Sequence, residues 1–166
     1  MIQRIQTVFL FLLAVAVISM LFLPLWSKTD AATGETVVLT AFNIKSYVLN
    51  EQGETGAAGS IPSKSSIVIA MLAIAAAVIA TLEIFKFRNR LTQMKLGLLN
   101  TLILAALLGT SFYYAAYVAS EMVSGADNGS YHAAAYLPVV ALLLNALANR
   151  FIKRDEDLVR SADRLR

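Results

Sequence analysis

Ile67-Val68-Ile69-Ala70-Met71-Leu72-Ala73-Ile74-Ala75-Ala76-Ala77-Val78-Ile79-Ala80-Thr81-Leu82-Glu83-Ile84-Phe85-Lys86-Phe87 is the stretch that decides how this chain is read. It runs from Ile67 to Leu82 without a charge. As a helix rising 1.5 Å per residue it would reach about 31 Å, the thickness of a bilayer's hydrocarbon core. Three other apolar blocks have a similar length, at 5–26, 96–119 and 131–151. Over the 166 residues, 58% are hydrophobic and 15% charged, with a mean hydropathy of +0.66. A soluble core of this size could not hide so much apolar side chain, so the excess is expected to face lipid.

The expected fold class is therefore an all-α membrane protein: one domain over 1–166, a bundle of four transmembrane helices. Arg4 ahead of Val8–Leu23 raises a secretory signal. The apolar run is longer than a signal core, and no small-residue cleavage site follows Pro24-Leu25-Trp26, so a retained anchor is expected. The outer loop, 27–66, holds two β-prone runs, Thr36–Phe42 and Tyr47–Leu49, followed by Gly53, Gly56 and Gly59, which suits a short β-hairpin with a mobile tip at 56–60.

Orientation follows from charge. Arg4, then Lys86, Arg88, Arg90 and Lys95, then Arg150, Lys153, Arg154, Arg160, Arg164 and Arg166 fall at alternate ends of the blocks. The outer loop balances Lys28, Lys45 and Lys64 with Asp30, Glu35, Glu51 and Glu54, and the loop after the third block carries only Glu121 and Asp127. Basic residues are retained on the cytoplasmic side, so both termini are expected there. Trp26, Tyr113, Tyr114, Tyr117, Tyr131 and Tyr136 would then form an aromatic belt at the outer interface. The same rule accounts for the net charge of +3 and pI near 9.3. Nucleic acid is not an expected partner, since the basic runs are short and lack a stacking platform.

Inside a membrane, helices associate through close packing and polar contacts. Ala73, Ala76, Ala77 and Ala80, and Ala105 with Gly109, have the small-residue spacing that lets helices approach. Asn100, Asn145 and Asn149 would act as interhelical glue, and Pro138 would bend the fourth helix. Glu83 is the only acid inside a block. It is expected to pair with Lys86 or Arg90 at the membrane edge, the sharper alternative being ion or proton handling.

Little supports catalysis. Cysteine is absent and His132 is the single histidine, which removes thiol chemistry and leaves no expected metal or cofactor site. No serine or threonine has a base at a recognisable spacing, and no glycine-rich phosphate loop is present. The tail, 152–166, is the most distinctive polar segment. Phe151, Leu158, Ala162 and Leu165 keep helical spacing, and Glu156 with Arg160 makes an i,i+4 pair, so the fourth helix is expected to continue as an amphipathic cytoplasmic extension. Arg154, Asp155, Glu156, Asp157, Arg160, Asp163 and Arg164 are its candidate interaction residues.

Three segments carry a family resemblance: Met1-Ile2-Gln3-Arg4-Ile5-Gln6-Thr7, the junction Phe87-Arg88-Asn89-Arg90, and the ending from Leu147 to Arg166, read as Leu-Ala-Asn-Arg-Phe-Ile-Lys-Arg-Asp-Glu-Asp-Leu-Val-Arg-Ser-Ala-Asp-Arg-Leu-Arg. In these the chain resembles domain-of-unknown-function family 4293, small four-span proteins of Gram-negative bacteria. The resemblance implies an inner-membrane location and a four-helix architecture, and it implies no activity. Two functions are expected from different classes. The first is a non-enzymatic accessory or scaffolding subunit, with lipid and a membrane-protein partner or a second copy as its contacts. The second is a small oligomeric transporter or proton-coupled carrier using Glu83.

Overall fold

In a computed structural model the described residues are 3–30, 33–49, 55–56, 64–86, 89–123 and 129–163. Four long helices and six short strands account for most of them. The helices are α1 (Gln3–Met20), α2 (Ile67–Phe85), α3 (Arg90–Tyr113) and α4 (Ala133–Asp163). They pack in a ring, each against its chain neighbours, with α4 closing back onto α1.

The sheet overturns the all-α expectation. Its strands are β1 (Trp26–Thr29), β2 (Glu35–Leu39), β3 (Asn43–Leu49), β4 (Thr55–Gly56), β5 (Lys64–Ser65) and β6 (Ser130–Tyr131), all pairings antiparallel. The order is β4–β3–β2–β1–β6, with β5 sharing the outer side of β3 with β4. The predicted hairpin is therefore only the β2–β3 part of a larger sheet that also recruits residues from beside the first and fourth apolar blocks.

The count of four spans is corrected as well. Three helical stretches are long and apolar enough to cross a membrane: Ile67–Phe85, Leu91–Met122 and Ala133–Val159. The apolar part of α1, Ile5–Met20, is shorter, about 24 Å against a core of about 30 Å. The physical reason lies at Pro24, which has no N–H to donate and disfavours helix in the residue before it. The last turn closes with Leu21 N–H on Ile18 O and Phe22 N–H on Ser19 O, after which Leu25 N–H bonds Leu39 O and the chain enters the sheet.

One face of the sheet lies against the ends of the helices. The register sets Trp26 beside Leu39, Lys28 beside Val37, and Leu39 beside Ile44, and all five side chains are buried. Trp26 is 1% exposed, so it belongs to the core and not to the interfacial belt. Gly129, at φ 72°, lies against its indole, where any β-carbon would collide with the ring. Tyr113, Tyr117, Tyr131 and Tyr136 remain exposed near this end.

Each helix is fastened to the sheet. Ser66, before α2, donates its N–H to Phe42 O and its Oγ to Thr40 O. His132, before α4, donates its N–H to Leu25 O. Beyond Tyr113, α3 loosens into a π-turn stretch (Tyr114–Ala119) and a 3₁₀ turn (Ser120–Met122). The buried Lys28 ammonium donates to Val123 O at 3.1 Å, a cation at a helix carboxyl end.

Inside the ring the buried positions step by four and three. They are 6, 10, 13, 17 and 20 on α1; 69, 73, 76, 80 and 83 on α2; 93, 97, 100, 104, 107 and 111 on α3; and 134, 138, 141, 145, 148 and 152 on α4. This heptad seam is the signature of left-handed packing near 20°. Ala73, Ala76, Ala77 and Ala80 face inward and let α2 approach its neighbours. Ala105 and Gly109 face outward instead, so their spacing serves no packing within the chain. Pro138 sits inside an unbroken α4 on the buried seam.

Candidate functional site: a polar cluster inside the helices

The end of the helices away from the sheet carries Lys86, Lys95, Arg150, Lys153 and Arg154, and is called here the basic end. Phe9 stacks on Phe151 there, centroids 5.7 Å apart, fixing α1 against α4. Just inside it, polar residues take over the seam: Gln6 on α1, Glu83 on α2, Gln93 and Asn100 on α3, and Asn145 on α4 are all buried.

Two of these residues have clear structural roles. Gln93 Nε2 donates to Glu83 O at 3.1 Å, capping the end of α2. Asn145 Nδ2 donates to Gly97 O and to Thr101 Oγ1, each at 2.9 Å, stitching α4 to α3. Because a carbonyl accepts, the amide orientation of Asn145 is set and its Oδ1 is left enclosed without a donor. Asn149, one turn further along α4, lies against Gly97, where a β-carbon would collide with its amide. Interhelical glue therefore describes Asn145 well.

Glu83 is different. It is fully buried, and neither carboxylate oxygen has a hydrogen-bond partner. The expected edge pair with Lys86 is not formed; Lys86 is exposed while the carboxylate turns into the ring. The side chain of Arg90 lies outside the described residues, as do those of Arg4 and Arg88. Asn100 is equally unserved at both amide atoms, and Gln6 Nε2 and Asn149 Oδ1 are enclosed without partners. Among the described residues every buried side-chain atom without a partner belongs to Gln6, Glu83, Asn100, Asn145 or Asn149. Polar groups withdrawn from water are normally bonded, so unserved atoms gathered toward one end of the helices call for an occupant.

The geometry brings several of them toward one level. A helical side chain leans toward its own N-terminus. On α2 this carries Glu83 toward the sheet; on antiparallel α3 it carries Asn100 toward the basic end. Between them lie Ala80 and Gly97, both buried and small. An open groove of about 310 Å³ lies on the outer side of α3 and α4 and is bordered by one residue of the cluster, Asn149. Met94, Leu98 and Leu102 form its apolar wall, and Thr101, Asn149 and Lys153 its polar one.

The candidate interaction residues of the tail lie on the far part of α4. Among the described side chains Ile152 is the last buried one; Lys153, Arg154 and Asp157 are exposed, and Asp155 and Glu156 are half-buried. Leu158 and Val159 are apolar and exposed. The side chains of Arg160 and Asp163, and all of Arg164, lie outside the described residues, as does most of the glycine-rich loop tip.

One pair escaped the sequence reading. Ser27 Oγ and His132 Nε2 are 2.8 Å apart across the β1–β6 end of the sheet. They are separated by about a hundred residues, so no local spacing could signal them. Among the described residues no carboxylate orients the ring, and no group of three or more acids and histidines could hold a metal.

Three helical stretches long and apolar enough to cross a membrane, a sheet across one end and a polar seam toward the other define a helical protein with a sheet at one end. The chain belongs to the family described as Domain of unknown function (DUF4293), whose profile matches residues 2–165. No curated protein matches it.

Proposed function

We propose that this is a multi-pass protein of the bacterial inner membrane that works without catalysis, as an accessory or scaffolding subunit docking a partner membrane protein on the projecting end of α4. Exposed apolar side chains on all four helices support burial in lipid, among them Val8 and Phe11, Met71 and Val78, Leu98 and Leu102, and Leu143. The positive-inside rule assigns the basic end, with the end of α4, to the cytoplasm and the sheet to the outer side.

The observation that carries the docking role is the length of α4. It runs 31 residues, about 46 Å, and among its described side chains is last buried at Ile152. Leu158 and Val159 beyond that point are apolar, exposed and flanked in sequence by Asp157 and Arg160. An apolar pair on a charged helix fits the cytoplasmic helix of another subunit better than anionic lipid, because the tail's acids would be repelled by headgroups. The test is crosslinking in native membranes, followed by capture in mild detergent and mass spectrometry. A stoichiometric membrane partner should be recovered and then lost from the Leu158→Glu, Val159→Glu double variant, which remains in the membrane. Recovery of the protein alone, or only with itself, removes the subunit role.

The unserved atoms around Glu83 favour a second reading, a small oligomeric carrier. Flux into vesicles holding the purified protein, compared with Glu83→Gln, tests it; equal flux in the two removes it.

A further inference from the structure

We propose that the polar cluster binds one monovalent cation, sodium by the nature of its ligands, between the Glu83 carboxylate and the side-chain oxygens of Asn100, Asn145 and Asn149. This goes beyond both readings above, since binding needs neither a partner nor flux.

The inventory of unserved atoms gives the sign of the occupant. The oxygens are Glu83 Oε1 and Oε2, Asn100 Oδ1, Asn145 Oδ1 and Asn149 Oδ1; the nitrogens are Gln6 Nε2 and Asn100 Nδ2. Acceptors outnumber donors, and the single formal charge is negative. An anion is excluded, and the occupant must donate or be positive. A proton on Glu83 would serve one carboxylate oxygen and leave the amide oxygens of Asn100, Asn145 and Asn149 without a donor. A divalent ion would find one carboxylate, too little charge for an enclosed site. A monovalent cation matches the one charge, and neutral amide oxygens are the hard ligands it prefers, as in membrane sites where carbonyls replace the hydration shell.

Helical side chains lean toward their own N-termini, which turns Glu83 and Asn100 toward each other on the antiparallel α2 and α3, and the Asn149 amide occupies the space beside Gly97. The open groove on the outer side of α3 and α4 is lined by Asn149 and by Thr101, whose hydroxyl accepts from Asn145, so it borders two of the proposed ligands and has room for several waters. Lys153 lines the same groove, so its ammonium is the competing occupant inside the chain.

The experiment is thermal unfolding of the full chain in detergent, in sodium, potassium and choline chloride at matched ionic strength. A specific site raises the wild-type midpoint in sodium over choline by about 5 °C at saturation, with a hyperbolic dependence on concentration. Glu83→Gln should unfold alike in all three salts, and Lys153→Gln should keep the sodium response. Should Glu83→Gln not fold, retention of radioactive sodium by the wild type, displaced by unlabelled sodium but not by choline, supports the site. A wild type indifferent to the cation overturns it, as does a sodium response undiminished in Glu83→Gln. A response that appears only in Lys153→Gln also overturns it, by making Lys153 the resident cation.

Discussion

The two ends of the helices differ in how fully they serve the polar groups they bury. At the sheet end Lys28, Ser66 and Ser111 are all buried, and each reaches a carbonyl: Val123 O, Thr40 O and Leu107 O. At the basic end Gln93 and Asn145 also reach carbonyls, but Glu83 and Asn100 are just as buried with no partner at either terminal atom, and Gln6 leaves its Nε2 unserved. A satisfied buried bond specifies geometry, because moving either partner strands the other. An unsatisfied one adds no such restraint and is a cost that an occupant would relieve. The sheet end therefore acts as the structural clamp, and the basic end is where a ligand is to be sought.

The comparison breaks most simply at Trp26. Trp26→Ala should destabilise the protein by about 3–5 kcal/mol, the range for emptying an aromatic site in a packed core. Gly129, Leu39 and the sheet's seating on the helices all depend on that ring. Unfolding in mixed micelles measures the loss, and a cost as small as a surface substitution would mean the sheet is only loosely seated. Lys28→Met comes next. It keeps the apolar stem but strands Val123 O, so about 1–3 kcal/mol should be lost. Amide exchange should rise first along Ser120–Met122, the turn that the ammonium holds. An unchanged exchange pattern there would show that the bond is ornamental.

The same contrast explains what could be read from the sequence. Three of the four expected stretches proved long and apolar enough to cross a membrane, and they were legible because hydropathy over some twenty residues needs no tertiary information. Which face points inward was not, because lipid-facing and buried side chains are equally apolar; Val78 and Ala77 differ in exposure and not in kind. The polar residues held that information. Stepping by three and four from Asn100 reaches Leu104 and Leu107, and from Asn145 reaches Ala141 and Ala148, all of them buried. The sheet was legible only at β2 and β3, which are close in sequence. β6 is two residues long and pairs with Trp26 and Ser27 across about a hundred positions, beyond any local signal. Trp26 misled because an indole near a span end ordinarily marks an interface. Burial of Glu83 could not be read either, since Lys86 stands one turn away and offers a cheaper partner than the interior does.

At the basic end the effects should be smaller. Gly97→Ala places a methyl where Asn149 now lies, and the amide can swing aside into the adjoining groove. Overpacking relieved by a movable side chain should cost about 1 kcal/mol. If the amide moves, the sodium dependence of unfolding should weaken while the fold persists. A loss as large as that of Trp26→Ala would show that α3 and α4 pack as rigidly here as they do at the sheet.

The smallest expected loss belongs to the most deeply buried acid. With choline as the only cation, Glu83→Met replaces an unserved carboxylate by a side chain of similar length with no polar group to strand. Exchanging buried charge for well-packed apolar groups is often neutral or stabilising. The variant should therefore unfold no earlier than the wild type in choline chloride, and only in sodium should the wild type draw level or ahead. Were Glu83 a structural strut like Lys28, its removal would be costly in every salt. That outcome would erase the distinction between the two ends. The crossing of the two stability curves between choline and sodium is the result that only a ligand-dependent carboxylate produces.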